Sequence, residues 1–287
     1  MELTTSDVWT VVAAALVLFM TPGLALFYSG MTRAKSALNM MMMSVISMGL
    51  VGVCWVLWGY SMSGGYALIN DIVGSPFNDF GLSATLADGG TNLLSVAFSS
   101  TFAIIAVAII SGSIADRARF GAWCIFVPLW LTLVYCPWLS WCGAAADGAQ
   151  AGLIWVNTLA APAAAMLGWA LLERIRDGHV TSLGAASGLV SGLVAITSAL
   201  GFIVTPATGT AGLFYGGGLG LLVTQTVATL ISMAYCAVVT LLIVIPIHRS
   251  MGFRVSEKQE VQGIDLAQHA ETAYAMSSGT SGTFAKN

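Results

Sequence analysis

The 287 residues are 57% hydrophobic and only 8% charged, with a formal net charge of -3. So few charges cannot cover a water-facing surface, which excludes an ordinary soluble domain and makes a lipid bilayer the solvent for most of the exterior. No basic patch interleaved with aromatics occurs, which excludes nucleic acid as a partner.

Seven apolar segments follow one another. The first, about Val8 to Tyr28, contains Pro22 and Gly23, which a membrane helix absorbs as a bend because neighbouring groups re-satisfy the freed carbonyl. Its acidic lead, Glu2 and Asp7, lacks the basic region of a cleaved signal peptide, and the run is long enough to span. Segment 2, about Leu38 to Ser61, opens on Met40 to Met43, flexible thioethers suited to irregular helix contacts. The stretch from Ser63 to Thr91, rich in Gly, Asn, Asp and Ser, predicts an external connection with a short interfacial helix.

Segments 3 and 4, about Leu93 to Ile114 and Gly121 to Trp141, are joined by Asp116-Arg117-Ala118-Arg119. So tight a turn predicts antiparallel neighbours. Segments 5, 6 and 7 are about Ala151 to Leu172, Leu183 to Val204 and Leu219 to Ile245. Gly188 and Gly192 have the GxxxG spacing that permits close helix contact. Beyond Ile247 the composition turns polar, dividing a membrane domain over 1–247 from a tail over 248–287. The tail's mixed-charge run, Val255 to Gln262, reads as a solvated face or as a docking surface.

Charge is sorted by loop. Arg33, Lys35, Arg117, Arg119, Arg174, Arg176, Arg249, Arg254 and Lys258 fall on one side, whereas the opposite loops carry only Glu2, Asp7, Asp71, Asp79, Asp88 and Asp147. The positive-inside rule then places the N-terminus outside and the C-terminus in the cytoplasm of a multi-pass, all-α plasma-membrane protein. At the cytoplasmic helix ends Asp116 and Glu173 flank arginines, where ion pairing is the plain expectation.

No Walker loop, HExxH string, lysine within a span or paired acids within a span is present. Neither enzyme chemistry nor a metal or cofactor is expected. Cys54, Cys124, Cys136, Cys142 and Cys236 show no close CxxC pair and mostly read as small buried hydrophobes. Phe98 and Phe102, four apart, share a helix face. Stacked phenyl rings there would close a narrow pore and offer a polarisable face to a cation, against the plainer reading of packing on lipid or core. Trp138 and Trp141, at the external end of segment 4, fit a cation-attracting vestibule or an interfacial aromatic girdle.

Long strings carry a resemblance. MTPGLALFYSGMTRAKSALNMMMMSVISMGLVGVCWVLWGYS from Met20, FSSTFAIIAVAIISGSIADRARF from Phe98, WVNTLAAPAAAMLGWALLE from Trp155, LGAASGLVSGLVAITSALGFIVTP from Leu183 and GFRVSEKQEVQGIDLAQHAETAY from Gly252 resemble the ammonium transporter (Amt/Mep/Rh) family. The resemblance implies an eleven-helix fold, homotrimers with a pore in each subunit, and ammonium or ammonia as substrate. It carries the gating phenylalanines onto Phe98 and Phe102 and an external recruiting site onto the region of Trp138 and Trp141. It also implies a regulatory tail, marked by Gly252, Arg254 and Asp265, that docks a cytoplasmic nitrogen-regulatory protein.

The departures are large. The family's GTVVHINAG-like and GVHGVGG-like pore-histidine strings are missing, and His179, His248 and His269 lie in cytoplasmic turns or the tail. One helix pair after segment 4 and another after Pro206 are expected to be lacking, which preserves the parity of the charge sorting but not the pore. Internal stretches omitted from a longer transporter account for this better than a truncated relative, because exposing polar, glycine-rich helix faces to lipid is costly. A chain without these helices is expected to transport weakly or not at all. The competing class is a non-transporting ammonium sensor or a structural subunit of a hetero-oligomer.

Overall fold

A computed structural model of the chain describes residues 4–63, 67–69, 73–88, 92–142, 151–178, 181, 188, 191 and 219–274. The chain divides into two compact units, Met1–Gly143 with Ala237–Asn287, and Ala144–Cys236.

In the first unit, α1 (Thr5–Met31) starts on a capping box and runs unbroken through Pro22. Thr4 Oγ1 accepts from Asp7 N–H, and Asp7 Oδ2 accepts from Thr4 N–H, so two end groups without helical partners satisfy each other. Helix α2 (Ala37–Ser63) follows, interrupted by a π turn at Trp55–Gly59. A short hairpin, β1 (Ala67–Ile69) with β2 (Val73–Gly74), and α3 (Ser83–Ala87) lie in the connection to α4 (Leu93–Ile114). Helix α5 runs from Phe120–Trp130 through a second π turn, Leu131–Tyr135, to Cys136–Cys142.

Packing centres on α2, which meets α1, α4 and α5. Small side chains make this approach close: Ser44 and Ser47 on α2 and Ala103, Ala108 and Ser111 on α4 are all buried. Ser44 Oγ and Ser111 Oγ lie 3.4 Å apart. Tyr28 ties α1 to α4 by donating to the Ile109 carbonyl at 3.1 Å. Its ring lies directly over Gly112, where a Cβ would come within 2.5 Å of Tyr28 Cζ. Of the methionine run, Met40 and Met43 are buried in the helix contacts, whereas Met42 is exposed.

The expected pairing of segments 3 and 4 is corrected. Helices α4 and α5 are joined by a short turn yet meet chiefly at the π turn of α5, and each packs on α2 instead. The connection fixes direction, but burial of Trp123 against α2, where Nε1 donates to the Met43 carbonyl, fixes the partner.

Among the described residues five helices are long and apolar enough to cross a membrane: Thr5–Met31, Ala37–Ser63, Leu93–Ile114, Phe120–Ser140 and Leu230–Met251. The expectation of seven is matched only in part, by five among the described residues. Segment 5 coincides with α6 (Ala151–Asp177), and segment 6 lies almost wholly outside the described residues. The last long helix, α7 (Leu219–Met251), runs through Pro246 and past Ile247.

Asp79 organises the connection between α2 and α4. Its carboxylate accepts from Ala84 N–H at 2.7 Å, Thr85 N–H at 3.1 Å and the Thr85 hydroxyl, fixing the start of α3. Burial pushes this carboxyl up, but the three hydrogen bonds outweigh it and hold its pKa below the ordinary carboxylate value. A folded pKa below the unfolded one gives stabilisation that is complete above the unfolded value and lost as pH falls through the folded one. Acidification below about pH 4 is therefore expected to loosen residues 79–88. Hydrogen-exchange protection factors at pH 6 and pH 3 check this, and equal protection at both would contradict it.

In the second unit, Glu173 of α6 accepts from Trp169 Nε1 at 3.2 Å and from Thr181 N–H at 2.9 Å. A Cβ on Gly188 would come within 2.7 Å of Trp169 Cβ and 3.0 Å of the Ala165 carbonyl, so one half of the GxxxG spacing makes the close approach. Gly192 lies outside the described residues. Asp116 corrects the ion-pair expectation: it sits at φ +60 and its Oδ1 is buried without a partner.

Candidate functional site

Phe98 and Phe102 face each other edge-on, with ring centroids 5.0 Å apart and planes at 81°. The seam of α4 against α1 and α2 uses Val96, Ala103, Ile104, Val107 and Ala108, whereas Phe98 is half-buried and Phe102 is 38% exposed. The pair therefore stands on the flank of the seam rather than inside it. Hydroxyls beside it turn back onto their own helix: Thr101 Oγ1 donates to the Phe98 carbonyl and Ser100 Oγ to the Ala97 carbonyl, each at 2.6 Å. This leaves the phenyl faces as what the flank presents.

A larger aromatic cluster lies next to the pair. Fully buried Trp55 donates from Nε1 to the carbonyl of Val96, two residues before Phe98, at 3.2 Å. Its ring makes edge contacts with Tyr60 at 6.4 Å and Tyr135 at 6.2 Å. Tyr135 continues to Trp138 at 6.5 Å. Trp138 is half-buried within this chain of rings; the side chain of Trp141 lies outside the described residues.

The two π turns bring α2 and α5 together. Trp58 Nε1 donates to Thr132 Oγ1 at 2.9 Å, and Thr132 donates onward to the Pro128 carbonyl at 2.8 Å. Cys136 Sγ lies 3.6 Å from the Gly59 carbonyl. A π turn frees backbone carbonyls from the regular ladder, and here Cys136 of the facing helix takes up that of Gly59, while Thr132 takes up that of Pro128 on its own helix. Sequence periodicity gives no sign of this, because one extra residue per turn shifts every later side chain around the helix.

At the other end, the tail clasps the α1–α2 and α4–α5 connections. Gly252, at φ +71, terminates α7 by donating its N–H to the His248 carbonyl at 3.0 Å. Arg254 bridges Ala118 in an antiparallel β-bridge, with Arg119 N–H donating to the Phe253 carbonyl and Val255 N–H to the Arg117 carbonyl. Its guanidinium pairs with Glu260 at 2.8 Å and holds that carboxyl below its usual range. Helices α8 (Glu257–Gln262) and α9 (Ile264–His269) follow. Asp265, buried, accepts from Leu38 N–H at 3.0 Å and Asn39 N–H at 2.7 Å, capping α2 from 227 and 226 residues away in sequence. His269 Nε2 lies 3.0 Å from Asn39 Oδ1, and its ring makes an edge contact with Phe120 at 4.9 Å.

All three tail residues singled out in the sequence therefore lie in one clasp, far along the chain from the phenylalanine pair. The partners on α2, Leu38 and Asn39, were not singled out. Among the described residues no three His, Cys, Asp or Glu side chains gather to hold a metal ion.

Comparison with known proteins gives a consistent result. The model of the Ammonium Transporter Family matches residues 8–146, 143–213 and 200–274. An ammonium transporter of Mycobacterium tuberculosis is 32% identical over 434 aligned positions, covering 95% of this chain and 91% of that protein. The alignment is longer than the chain, so the relative carries internal stretches that this chain lacks. The joins of the family match, at 143–146 and 200–213, fall where the two helix pairs were expected to be missing. Among solved structures, a Candida albicans Mep2 mutant gives a TM-score of 0.57 at 26% identity over 71% of this chain and 68% of that one. Saccharomyces cerevisiae Mep2 gives 0.70 at 20% identity over 88% and 87%, a likeness of fold alone. The chain belongs to the ammonium transporter family, in a shortened version of its multi-span membrane fold.

Proposed function

We propose that the chain mediates transport of ammonium or ammonia across the plasma membrane as a homotrimer with one path per subunit. The single observation that carries this reading is family membership over nearly the whole chain. The edge-on pair Phe98 and Phe102 agrees with it, standing on the α4 flank as a gate that a permeant has to displace. Trp138 and Trp141 belong to the external aromatic vestibule, where ring faces attract a cation before it is desolvated. Seven spans, with the N-terminus outside and residues 248–287 in the cytoplasm, agree with the sorted charges. The tail clasp at Gly252, Arg254 and Asp265 is the surface on which a cytoplasmic nitrogen-regulatory protein would act.

Proteoliposomes containing the chain are expected to take up labelled methylammonium saturably but weakly, and more strongly once the two helix pairs that it lacks are restored. Phe102→Ala is expected to change the rate at least severalfold with folding intact, because the most exposed ring of the pair is lost. No saturable uptake, with Phe98→Ala and Phe102→Ala both silent, would reject the transport reading.

A second reading has its own observation. His179 and His269 lie outside the apolar segments, His248 lies in the last turn of α7, and His269 is engaged by Asn39 and Phe120. A path that separates ammonium from its proton needs a proton acceptor along it, and desolvating the intact ion is costly. A non-transporting ammonium sensor or a structural subunit of a hetero-oligomer requires no such acceptor. Saturable ammonium binding without uptake would favour that class.

A further inference from the structure

Residues 75–87, in the connection between α2 and α4, turn much of their polarity inward. Ser75, Asp79 and Thr85 are buried beside Leu82, whereas the large apolar side chains Phe77, Phe80 and Leu86 are 78%, 46% and 57% exposed. Phe77 and Phe80 stack, with ring centroids 6.4 Å apart and planes at 28°. Asp79 is the only charged residue of this stretch, and its carboxylate is spent on Ala84 and Thr85. The outward face therefore carries Asn78 and Ser83 beside the rings but no charge. A surface made for water scatters its apolar side chains singly among charged ones. Here an acid and two hydroxyls point inward while paired rings point outward.

The stretch is also held at a defined depth. Ser61 Oγ accepts from Asp79 N–H at 3.0 Å and donates to the Ser75 carbonyl at 2.7 Å, and Ser75 Oγ accepts from Phe77 N–H at 3.3 Å. Ser61 stands two residues before the end of the span Ala37–Ser63. The 27 residues of that span extend about 40 Å, more than the hydrocarbon core of about 30 Å, so its last turn stands among the headgroups. Phe77 and Phe80 are one or two residues from Asp79, no more than about 7 Å of chain, which keeps both rings near that layer.

We propose that Phe77, Phe80 and Leu86 seat in the boundary between lipid headgroups and acyl chains and anchor the α2–α4 connection to the bilayer. At that depth the rings leave water while Asn78 and Ser83 keep hydrated partners, the division of apolar and polar groups that interfacial segments use. A second copy of the chain would have to bury Asn78 and Ser83 along with the rings, whereas the boundary layer does not.

Phe77→Trp and Phe80→Trp in the full chain, labelled with fluorotryptophan, each add one fluorine resonance to those of the parent's nine tryptophans. Both positions are exposed and accept the larger ring, and Leu86→Trp serves as a third probe should either variant melt below the parent. In phosphatidylcholine nanodiscs the added resonance is followed with a nitroxide carried on the lipid near the headgroup, with one near the acyl terminus, and with a water-soluble gadolinium chelate. The nitroxide near the headgroup is expected to broaden the added resonances most. Strongest broadening by the chelate would show the rings facing water, and strongest broadening by the acyl-terminal nitroxide would show them in the hydrocarbon core. Resonances that none of the three broadens would show a second copy covering them. Any of these three results would overturn the proposal.

Discussion

Replacing Asp265 by alanine is expected to release the tail from the membrane domain at a cost of about 2–4 kcal/mol. The carboxylate accepts two hydrogen bonds from α2, those of Leu38 and Asn39, and is 1% exposed. No side chain of α2's own N-cap, Ser36, takes these donors. Alanine therefore leaves two backbone N–H groups without acceptors and removes a negative charge from the positive end of a helix. Lys35 loses support as well, since the Asp265 N–H donates to its carbonyl at 3.0 Å. The measurement is hydrogen exchange over residues 35–40 and 252–274. Both stretches should lose protection together while α4 retains its own. If only the tail loosens, the cap on α2 is not what holds it. Asp265→Asn keeps one acceptor oxygen and should fall between the two states.

This clasp also marks the limit of what the sequence reveals. The spans were legible because a membrane-length apolar run has few alternatives: α4 spans Leu93–Ile114, as expected, and α5 starts at Phe120, one residue before the expected Gly121. The tail's partner was not legible. Asp265 resembles any exposed acid until α2 is seen to lack a cap of its own. The charged run before it does behave as a solvated face at Glu257 and Lys258, yet Val255 and Ile264 on either side are buried. Helix partners were likewise hidden. The tight turn at 116–119 pointed to α4 against α5, but packing is decided by which faces carry small residues, and those of α2 and α4 face each other.

For the candidate site, spacing alone brought Phe98 and Phe102 onto one face, and the structure places the rings in edge contact. It did not foretell Trp55 behind them, because the π turn that begins at Trp55 breaks the 3.6-residue period on which such a reading depends. The paired π turns are deviations from regular helix at the place where aromatic rings gather. A residue inserted into one helix re-aims its side chains, and the facing helix meets them: Cys136 Sγ lies against the Gly59 carbonyl, and Thr132 Oγ1 accepts from Trp58 while donating to the Pro128 carbonyl of its own helix. Thus Trp58 and Thr132 form one unit that neither helix encodes alone.

Trp123→Ala is expected to be the most damaging single change in the α2–α5 contact, costing about 3–5 kcal/mol. The indole is fully buried and stacks on Phe126 with centroids 5.3 Å apart at 24°. Its Nε1 donates to the Met43 carbonyl at 2.9 Å and lies 3.2 Å from Ser47 Oγ. In lipid, helix association gains little from moving apolar surface out of water and depends on close packing and interhelical hydrogen bonds. Alanine removes both at once, leaving a void between α2 and α5 and a carbonyl with one acceptor position unspent. Trp123→Phe separates them, because it keeps most of the ring volume and deletes only the donor, for about 0.6–1.7 kcal/mol. Unfolding of the detergent-solubilised protein, followed by tryptophan fluorescence and circular dichroism, should rank parent, phenylalanine and alanine in that order. Equal losses for the two variants would assign the contact to the hydrogen bond. A loss confined to alanine would assign it to packing, and with it the reason α5 chooses α2 rather than the helix to which its own turn connects it.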